Sequence, residues 1–340
     1  MSASPATPAY FQGPRWEKRL AELRPAFAGQ RVLVTGGGGF LGRWVCALLE
    51  VLGAEPYAPR SAEFDLSEQA QVRALFRGAQ CPIVLHLAAA CGGIAANLAD
   101  PGRFLYENAL MGLLILEEAR LSGVEKLVLV STTCAYPEGA PIPLQEEQLW
   151  EGKPTAATGP YGLAKRLLHE ALATYRAQYG FDGVTVIPTT LYGPGDHFDP
   201  ERSHVVAALI RRFVEATDEA RPEVCNWGSG RPTREFLHVA DAAVGILCAA
   251  ARYSDPTPVN LGTGIETSIA ELSSLIVSAT GYQGEVRWDT TRPEGQPRRC
   301  LDVSRAAGFG FSAEISLAEG LQESVDWFKA RRAAGAAPTP

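Results

Sequence analysis

The chain has 340 residues, 46% of them hydrophobic and 20% charged, and a formal net charge of −7. This ordinary soluble composition leaves room for a dinucleotide-binding domain and a smaller partner, while the acidic balance argues against nucleic acid as a partner. No run reaches the roughly 18 apolar residues that cross a bilayer, so no membrane span is expected, and seven cysteines without a C-x-x-C pair signal neither a disulfide framework nor a zinc site.

Met1 to Pro14 is rich in Ala, Pro and Ser and lacks the basic start and apolar stretch of a secretory signal. It reads as a disordered leader, residues 1–14, and the cytoplasm is the expected compartment. Trp16, Leu20, Leu23 and Phe27 recur at helical spacing and predict a short amphipathic helix before Gly29. Arg31-Val-Leu-Val-Thr35 is a compact apolar run of the kind a buried parallel strand gives. The glycine stretch Gly36 to Gly42 and a helix through Leu52 follow. Further strands are expected around Glu55–Pro59, at Ile83–Ala88, at Leu127–Ser131 and at Val184–Pro188, with long helices over Phe104–Ser122 and Tyr161–Tyr179. Strands alternating with helices of this length predict an α/β fold, a Rossmann-type doubly wound parallel sheet. After Gly193 the pattern loosens, and Val224-Cys-Asn-Trp-Gly228 reads as a short strand of a smaller C-terminal α/β lobe. The expected division is a cofactor domain over 15–190 and a mainly substrate-binding lobe over 191–330. A segment around 236–262, holding a helix at Asp241–Ala251, returns to the first domain, and 331–340 forms a mobile tail.

The glycines at 36, 39 and 42 form G-x-x-G-x-x-G directly after a strand and open a helix. Glycine permits the tight turn and lets backbone N–H groups reach a pyrophosphate at the helix N-terminus. NAD binders place a carboxylate at the end of the second strand, on the ribose 2′-hydroxyl. Here that stretch is Tyr57-Ala-Pro-Arg60-Ser61, where Arg60 suits a 2′-phosphate. The exchange favours NADP(H), with NAD(H) the alternative, and Asp65 with Leu66 suits the adenine edge.

Tyr161-Gly-Leu-Ala-Lys165 sets a phenol and an ammonium four residues apart on one helix face. A neighbouring cation is expected to lower the tyrosine pKa and make it a general acid or base near neutrality. Thr132, at the end of a strand, would hydrogen-bond the oxygen that Tyr161 protonates. Glycine loop, Thr132 and the Tyr161/Lys165 pair together resemble the extended short-chain dehydrogenase/reductases of the NAD-dependent epimerase/dehydratase family. Longer stretches narrow the likeness: His86-Leu-Ala-Ala-Ala with Gly92-Gly-Ile and Asn97, Thr133-Cys-Ala-Tyr-Pro137, Leu191-Tyr-Gly-Pro194, Ser203-His-Val205 and Trp227-Gly-Ser-Gly-Arg-Pro-Thr-Arg-Glu-Phe236. From Arg31 to about Trp327 the chain is similar to the 3,5-epimerase/4-reductases of GDP-linked 4-keto-6-deoxy sugars.

That resemblance implies an NADPH-dependent enzyme taking GDP-4-keto-6-deoxy-D-mannose to GDP-L-fucose. It implies Cys134 and His204 as the acid–base pair that inverts C3 and C5, whose protons a C4 ketone makes acidic. Thr132, Tyr161 and Lys165 then polarise and protonate the C4 oxygen. It further implies cofactor contacts from Phe40, Leu41, Leu87, Ala88, Ala89 and Pro188, and nucleotide contacts from Arg212, Trp227, Arg234 and Arg292. A homodimer through the helices from about Phe104 and Tyr161 is implied in the same way. Taken singly, a cysteine after a strand is more often a small buried residue, and His86, His169, His197 and His238 carry no comparable support. A dehydratase is disfavoured because such enzymes place Asp-Glu where this chain has Thr133 and Cys134. The chain departs from the pattern at Thr190, at His197 and in the shortened Ala90-Cys91-Gly92 segment, all near the expected sugar. Two alternatives follow: an epimerase without net reduction or one acting on another sugar nucleotide, and a non-catalytic NADP-sensing or scaffold protein.

Overall fold

In a computed structural model the described residues are 6–199, 203–291 and 295–335. The first half runs α1 (Pro14–Phe27), β1 (Arg31–Thr35), α2 (Phe40–Val51), β2 (Glu55–Tyr57), α3 (Gln69–Ala79), β3 (Ile83–His86), α4 (Ile94–Ala99), α5 (Pro101–Leu121) and β4 (Lys126–Val130). It continues through α6 (Gly159–Tyr179), β5 (Gly183–Pro188), β6 (Thr190–Tyr192), α7 (Val205–Asp218), β7 (Glu223–Trp227), β8 (Thr233–Arg234) and β9 (Phe236–His238). The rest is α8 (Val239–Arg252), β10 (Val259–Leu261), β11 (Thr267–Ser268), α9 (Ile269–Thr280), β12 (Glu285–Asp289), α10 (Ser304–Gly308) and α11 (Leu317–Ala333).

The large sheet has the order β10-β5-β4-β3-β1-β2, every pair parallel. Its strands read as near-continuous apolar runs because both faces are covered. One face packs on Trp44, Val45 and Leu48 of α2 and on α8. The other packs on Val72 and Leu75 of α3, Ile115 and Leu116 of α5, and Leu168 and Leu172 of α6. This is the doubly wound α/β arrangement. Helix α8 is buried at every position from Val239 to Ala249, which explains a sequence that is apolar on every face except at Asp241, rather than striped. Through α8 and β10 the chain comes back from the smaller lobe to complete the sheet. The smaller lobe has its own core, where Phe213 of α7, Ile276 of α9 and Val325 of α11 meet beside the paired β7 and β12.

The chain order reverses between β1 and β3. The crevice outside their carboxyl ends is where open α/β sheets bind ligands. It is also where Thr35 Oγ1 meets His86 Nδ1 at 2.8 Å.

Two expectations at the chain ends are corrected. Order begins well before Pro14: Pro8–Gln12 forms a turn of 3-10 helix with Phe11 fully buried. The Ala, Pro and Ser content of the leader hid two aromatic anchors, since Phe11 packs on Trp16 and Tyr10 stands edge-on to Trp44. At the other end α11 continues to Ala333, past the expected start of the tail.

Burial holds the His86 imidazole far below its ordinary 6.5, at about 3, with Lys165 a second cause. The unfolded ring therefore takes up a proton that the folded ring refuses. The stability this neutral ring contributes is complete above pH 6.5 and is lost as pH falls toward 3. Exchange of His86→Gln should flatten the acid side of the urea-unfolding free energy between those limits. An unchanged pH slope would show that His86 does not carry it.

Candidate functional site

The glycine loop is built by close approach. Gly36 adopts a left-handed φ of 73°, and a Cβ there would lie 2.8 Å from the Ala88 nitrogen. A Cβ on Gly42 would stand 2.2 Å from the Gly36 oxygen, so only glycine lets α2 start this near β1. At Gly38 a Cβ would meet nothing within 4 Å. Gly39 precedes α2 without a side chain to cap it, leaving the first-turn N–H groups for an anion. Phe40 and Leu41 are half-buried on α2, and Leu87, Ala88 and Ala89 line the far side of the crevice after β3. Pro188 ends β5 opposite Leu261. Arg60 is exposed after β2, and Asp65 is turned onto Ser67, accepting its N–H at 2.9 Å and its hydroxyl at 2.6 Å. Those bonds hold the Asp65 pKa below its usual range. A crevice of bare backbone, an uncapped helix and a cation at the strand end fits a dinucleotide.

Beyond β4 the chain turns through Thr133–Ala135, and the Thr132 hydroxyl accepts the Cys134 N–H at 3.2 Å. Helix α6 presses against this turn at Gly162, where a Cβ would lie 2.2 Å from the Cys134 carbonyl oxygen. Tyr161, the residue before Gly162, is thereby set at the turn that carries Cys134. One helical turn on, the Lys165 ammonium donates to the Val130 carbonyl at 3.0 Å and stands 5.9 Å from the Tyr161 ring centroid.

The electrostatics differ from expectation. Burial is the main cause that raises the Tyr161 pKa well above 10, and the sulfurs of Cys91 and Cys134 add to it. Burial also lowers the pKa of Lys165. The ammonium is engaged by a carbonyl and does not offset desolvation of the phenol, so Tyr161 is held protonated.

His204 is placed differently. It precedes α7 and neighbours His197; surrounding protein, then that neighbour's charge, lowers its pKa below 6.5. Its ring still reaches solvent. Among the described residues it makes no hydrogen bond to Cys134 or Tyr161. Arg212 bonds Asn226 Oδ1 at 2.7 Å and the Cys225 carbonyl at 3.3 Å, next to Trp227, whose surface is 66% exposed. Arg234 bonds the Thr233 carbonyl, and burial, with Arg299 nearby, lowers its pKa. Arg292 lies outside the described residues.

Three residues were missed in the sequence. Arg299 donates to Thr133 Oγ1 at 3.3 Å and to Gln296 Oε1 at 2.6 Å, which brings a cation directly onto the Cys134 turn. Glu235 is buried and accepts three backbone N–H groups, from Thr263 (2.6 Å), Gly264 (2.8 Å) and Leu301 (2.8 Å). It fixes the segment that carries Arg299. Cys91 Sγ stands 3.7 Å from the Tyr161 hydroxyl. Asn108 holds its loop by bonding both the N–H (3.1 Å) and the carbonyl (3.0 Å) of Ala90. The shortened Ala90-Cys91-Gly92 segment was the available signal for Cys91. Arg299 shares its run with Arg292 and Arg298, and nothing in spacing alone separates them.

The profile of the NAD dependent epimerase/dehydratase family matches residues 32–262, and the chain belongs to that family. It is 37% identical over 299 residues to GDP-L-fucose synthase 1 of Arabidopsis thaliana, covering 88% of this chain and 93% of that one. To the GDP-L-fucose synthase of Escherichia coli strain K12 it is 38% identical over 309 residues, covering 88% and 96%. Among solved structures it is similar to a GDP-L-fucose synthetase from Naegleria fowleri bound to NADP. There the TM-score is 0.81 and the identity 27%, over 90% of this chain and 96% of that one.

Gly162→Ala tests the seam that aligns the site. A methyl group 2.2 Å from a backbone carbonyl must push α6 outward, at a cost of about 1–3 kcal/mol. Urea unfolding should show that loss; an unchanged midpoint would mean that the seam is loose.

Proposed function

We propose that the chain is an NADPH-dependent 3,5-epimerase/4-reductase that converts GDP-4-keto-6-deoxy-D-mannose to GDP-L-fucose. The observation that carries this reading is the thiol of Cys134 on the strand-end turn, set beside Tyr161 by the contact at Gly162. A reductase needs the tyrosine alone. A thiol at the same place adds a group that moves protons on carbon. The GDP-L-fucose synthases of Arabidopsis and E. coli, each matched over most of its length, support the same substrate.

In this reading residues 15–190 hold NADP(H) and 191–330 the sugar nucleotide, with 236–262 returning to the first domain. The Thr132 and Tyr161 hydroxyls hydrogen-bond the C4 oxygen. Charge left on C3 or C5 by deprotonation spreads onto that oxygen, where a protonated Tyr161 stabilises it. Cys134 and His204 take and return the carbon-bound protons on opposite faces. Bound NADPH would supply hydride to C4, and Tyr161 donates the accompanying proton. Arg212, Arg234 and Arg299 carry charge suited to the diphosphate, and Trp227 offers a face to the base.

Purified protein with NADPH and GDP-4-keto-6-deoxy-D-mannose in deuterated water should oxidise the cofactor and place deuterium at C3 and C5. Cys134→Ser should lose deuterium incorporation. Tyr161→Phe should cut reduction by about 10²–10⁴-fold with NADPH still bound. Cofactor oxidation without carbon-bound deuterium would leave a reductase only. If neither event occurs, the substrate assignment is overturned.

We also place the enzyme in the cytoplasm, a compartment that suits its seven free cysteines, as a homodimer. Leu105 and Tyr106 of α5 and Leu163 and Leu167 of α6 are exposed apolar side chains on two packed helices, which supports an interface there. Sedimentation should show a dimer that Leu163→Glu with Leu167→Glu converts to monomer. A monomeric wild type would end this assignment.

A further inference from the structure

Beside the glycine loop lies a cavity of about 260 Å³ with walls from three parts of the chain. Gly37 and Gly38 form one, Ala58 and Arg60 a second, and Ala6 and Pro8 of the N-terminal segment the third. The first two are where the adenosine ribose of a dinucleotide reaches. The third lies before residue 32, where the family match begins.

The N-terminal segment is firmly seated. Phe11 is fully buried against Trp16 and, at 6.0 Å between centroids, Trp44 of α2. The Tyr10 hydroxyl donates to Glu323 of α11 at 2.9 Å, and Arg15 pairs with Glu319. A residue pair held this way keeps Ala6 and Pro8 at the mouth of the loop.

Charge at the cavity comes from Arg43, Glu50 and Arg60. The Arg43 guanidinium is turned to the Gly195 carbonyl at 2.9 Å. Among the described residues no carboxylate lies within ion-pair distance of the Arg60 guanidinium; Glu63 instead accepts the Arg60 backbone N–H at 2.7 Å. Arg60 is thus the cation left for an anion, and the open space at Gly38 gives that anion a way in. Resting on the NADP(H) reading above, we propose that the N-terminal segment is the outer wall of the subsite for the cofactor's ribose 2′-phosphate, with Arg60 as its cation. The wall narrows the solvent around the Arg60–phosphate pair, and an ion pair strengthens as its surroundings lose water.

The test is binding, independent of turnover. NADPH and NADH are titrated by fluorescence against the full chain, a chain lacking residues 2–8, Pro8→Glu, and Pro8→Ala as the neutral control. 2′,5′-ADP serves as the competing probe. Loss of the wall, or a carboxylate set into it, should weaken NADPH and 2′,5′-ADP about tenfold and NADH less than about twofold, with Pro8→Ala near wild type. Pro8→Glu stands if the shortened chain fails to fold. NADPH affinity within about twofold of wild type in both variants would overturn the proposal, as would equal weakening of NADH, which would make the segment a brace. A wild type that binds no NADPH would overturn the cofactor reading, and the proposal with it.

Discussion

The contact between Gly162 and the Cys134 carbonyl is the constraint on which the candidate site rests. With no Cβ at that position, α6 lies directly on the turn after β4. Three things follow from one missing methyl group. Tyr161 is set beside Cys134, Lys165 reaches back to the Val130 carbonyl, and Thr132 stays at the strand end with its hydroxyl bonded to the turn. The strand, the turn and the helix are then joined at one close contact, and reactive groups on regular elements hold their geometry better than groups on loops.

A second constraint orients the lobe. Glu235 is a carboxylate taken out of water, and burial raises its pKa even though three backbone N–H groups oppose the shift. Such a group is costly unless its bonds are made. Its demand fixes Thr263, Gly264 and Leu301 around one point and carries Arg299 onto the Thr133 hydroxyl. Arg299 is thereby brought near Arg234, a local concentration of positive charge in a chain of net charge −7. In the proposed reading, a diphosphate between Arg234 and Arg299 offsets their mutual repulsion.

The sheet was legible because its strands are short apolar runs separated by helices of regular period, and Arg31–Thr35 and Ile83–His86 appear nearly as read. The glycine loop, Thr132 and the Tyr161/Lys165 pair could be placed from spacing because it fixes where each falls on loop, strand end and helix. Arg299 and Glu235 could not be, since the bonds from Arg299 to Thr133 and from Thr263, Gly264 and Leu301 to Glu235 join residues between 28 and 166 apart. The ordered start of the chain was missed for a different reason. Two aromatic anchors in a background of small residues do not make a periodic pattern, yet Phe11 needs only one gap between Trp16 and Trp44 to be buried.

The protonation state of Tyr161 shows how burial overrides sequence proximity. Lys165 is four residues away, and spacing alone would have its charge favour the phenolate. Much of the helix face they share lies out of water, and desolvation penalises the phenolate and the ammonium alike. Both pKa values move toward the neutral pair, with Tyr161 raised and Lys165 lowered. A phenol that keeps its proton suits a donor to a developing C4 oxyanion better than it suits a base. The carbon-bound protons must then be handled by other groups, and a thiol already stands on the adjoining turn. Cys91, 3.7 Å from the same hydroxyl, adds a second sulfur that disfavours the phenolate. In the proposed reaction, the division of labour between a protonated tyrosine and a neighbouring thiol rests on desolvation of a single helix face.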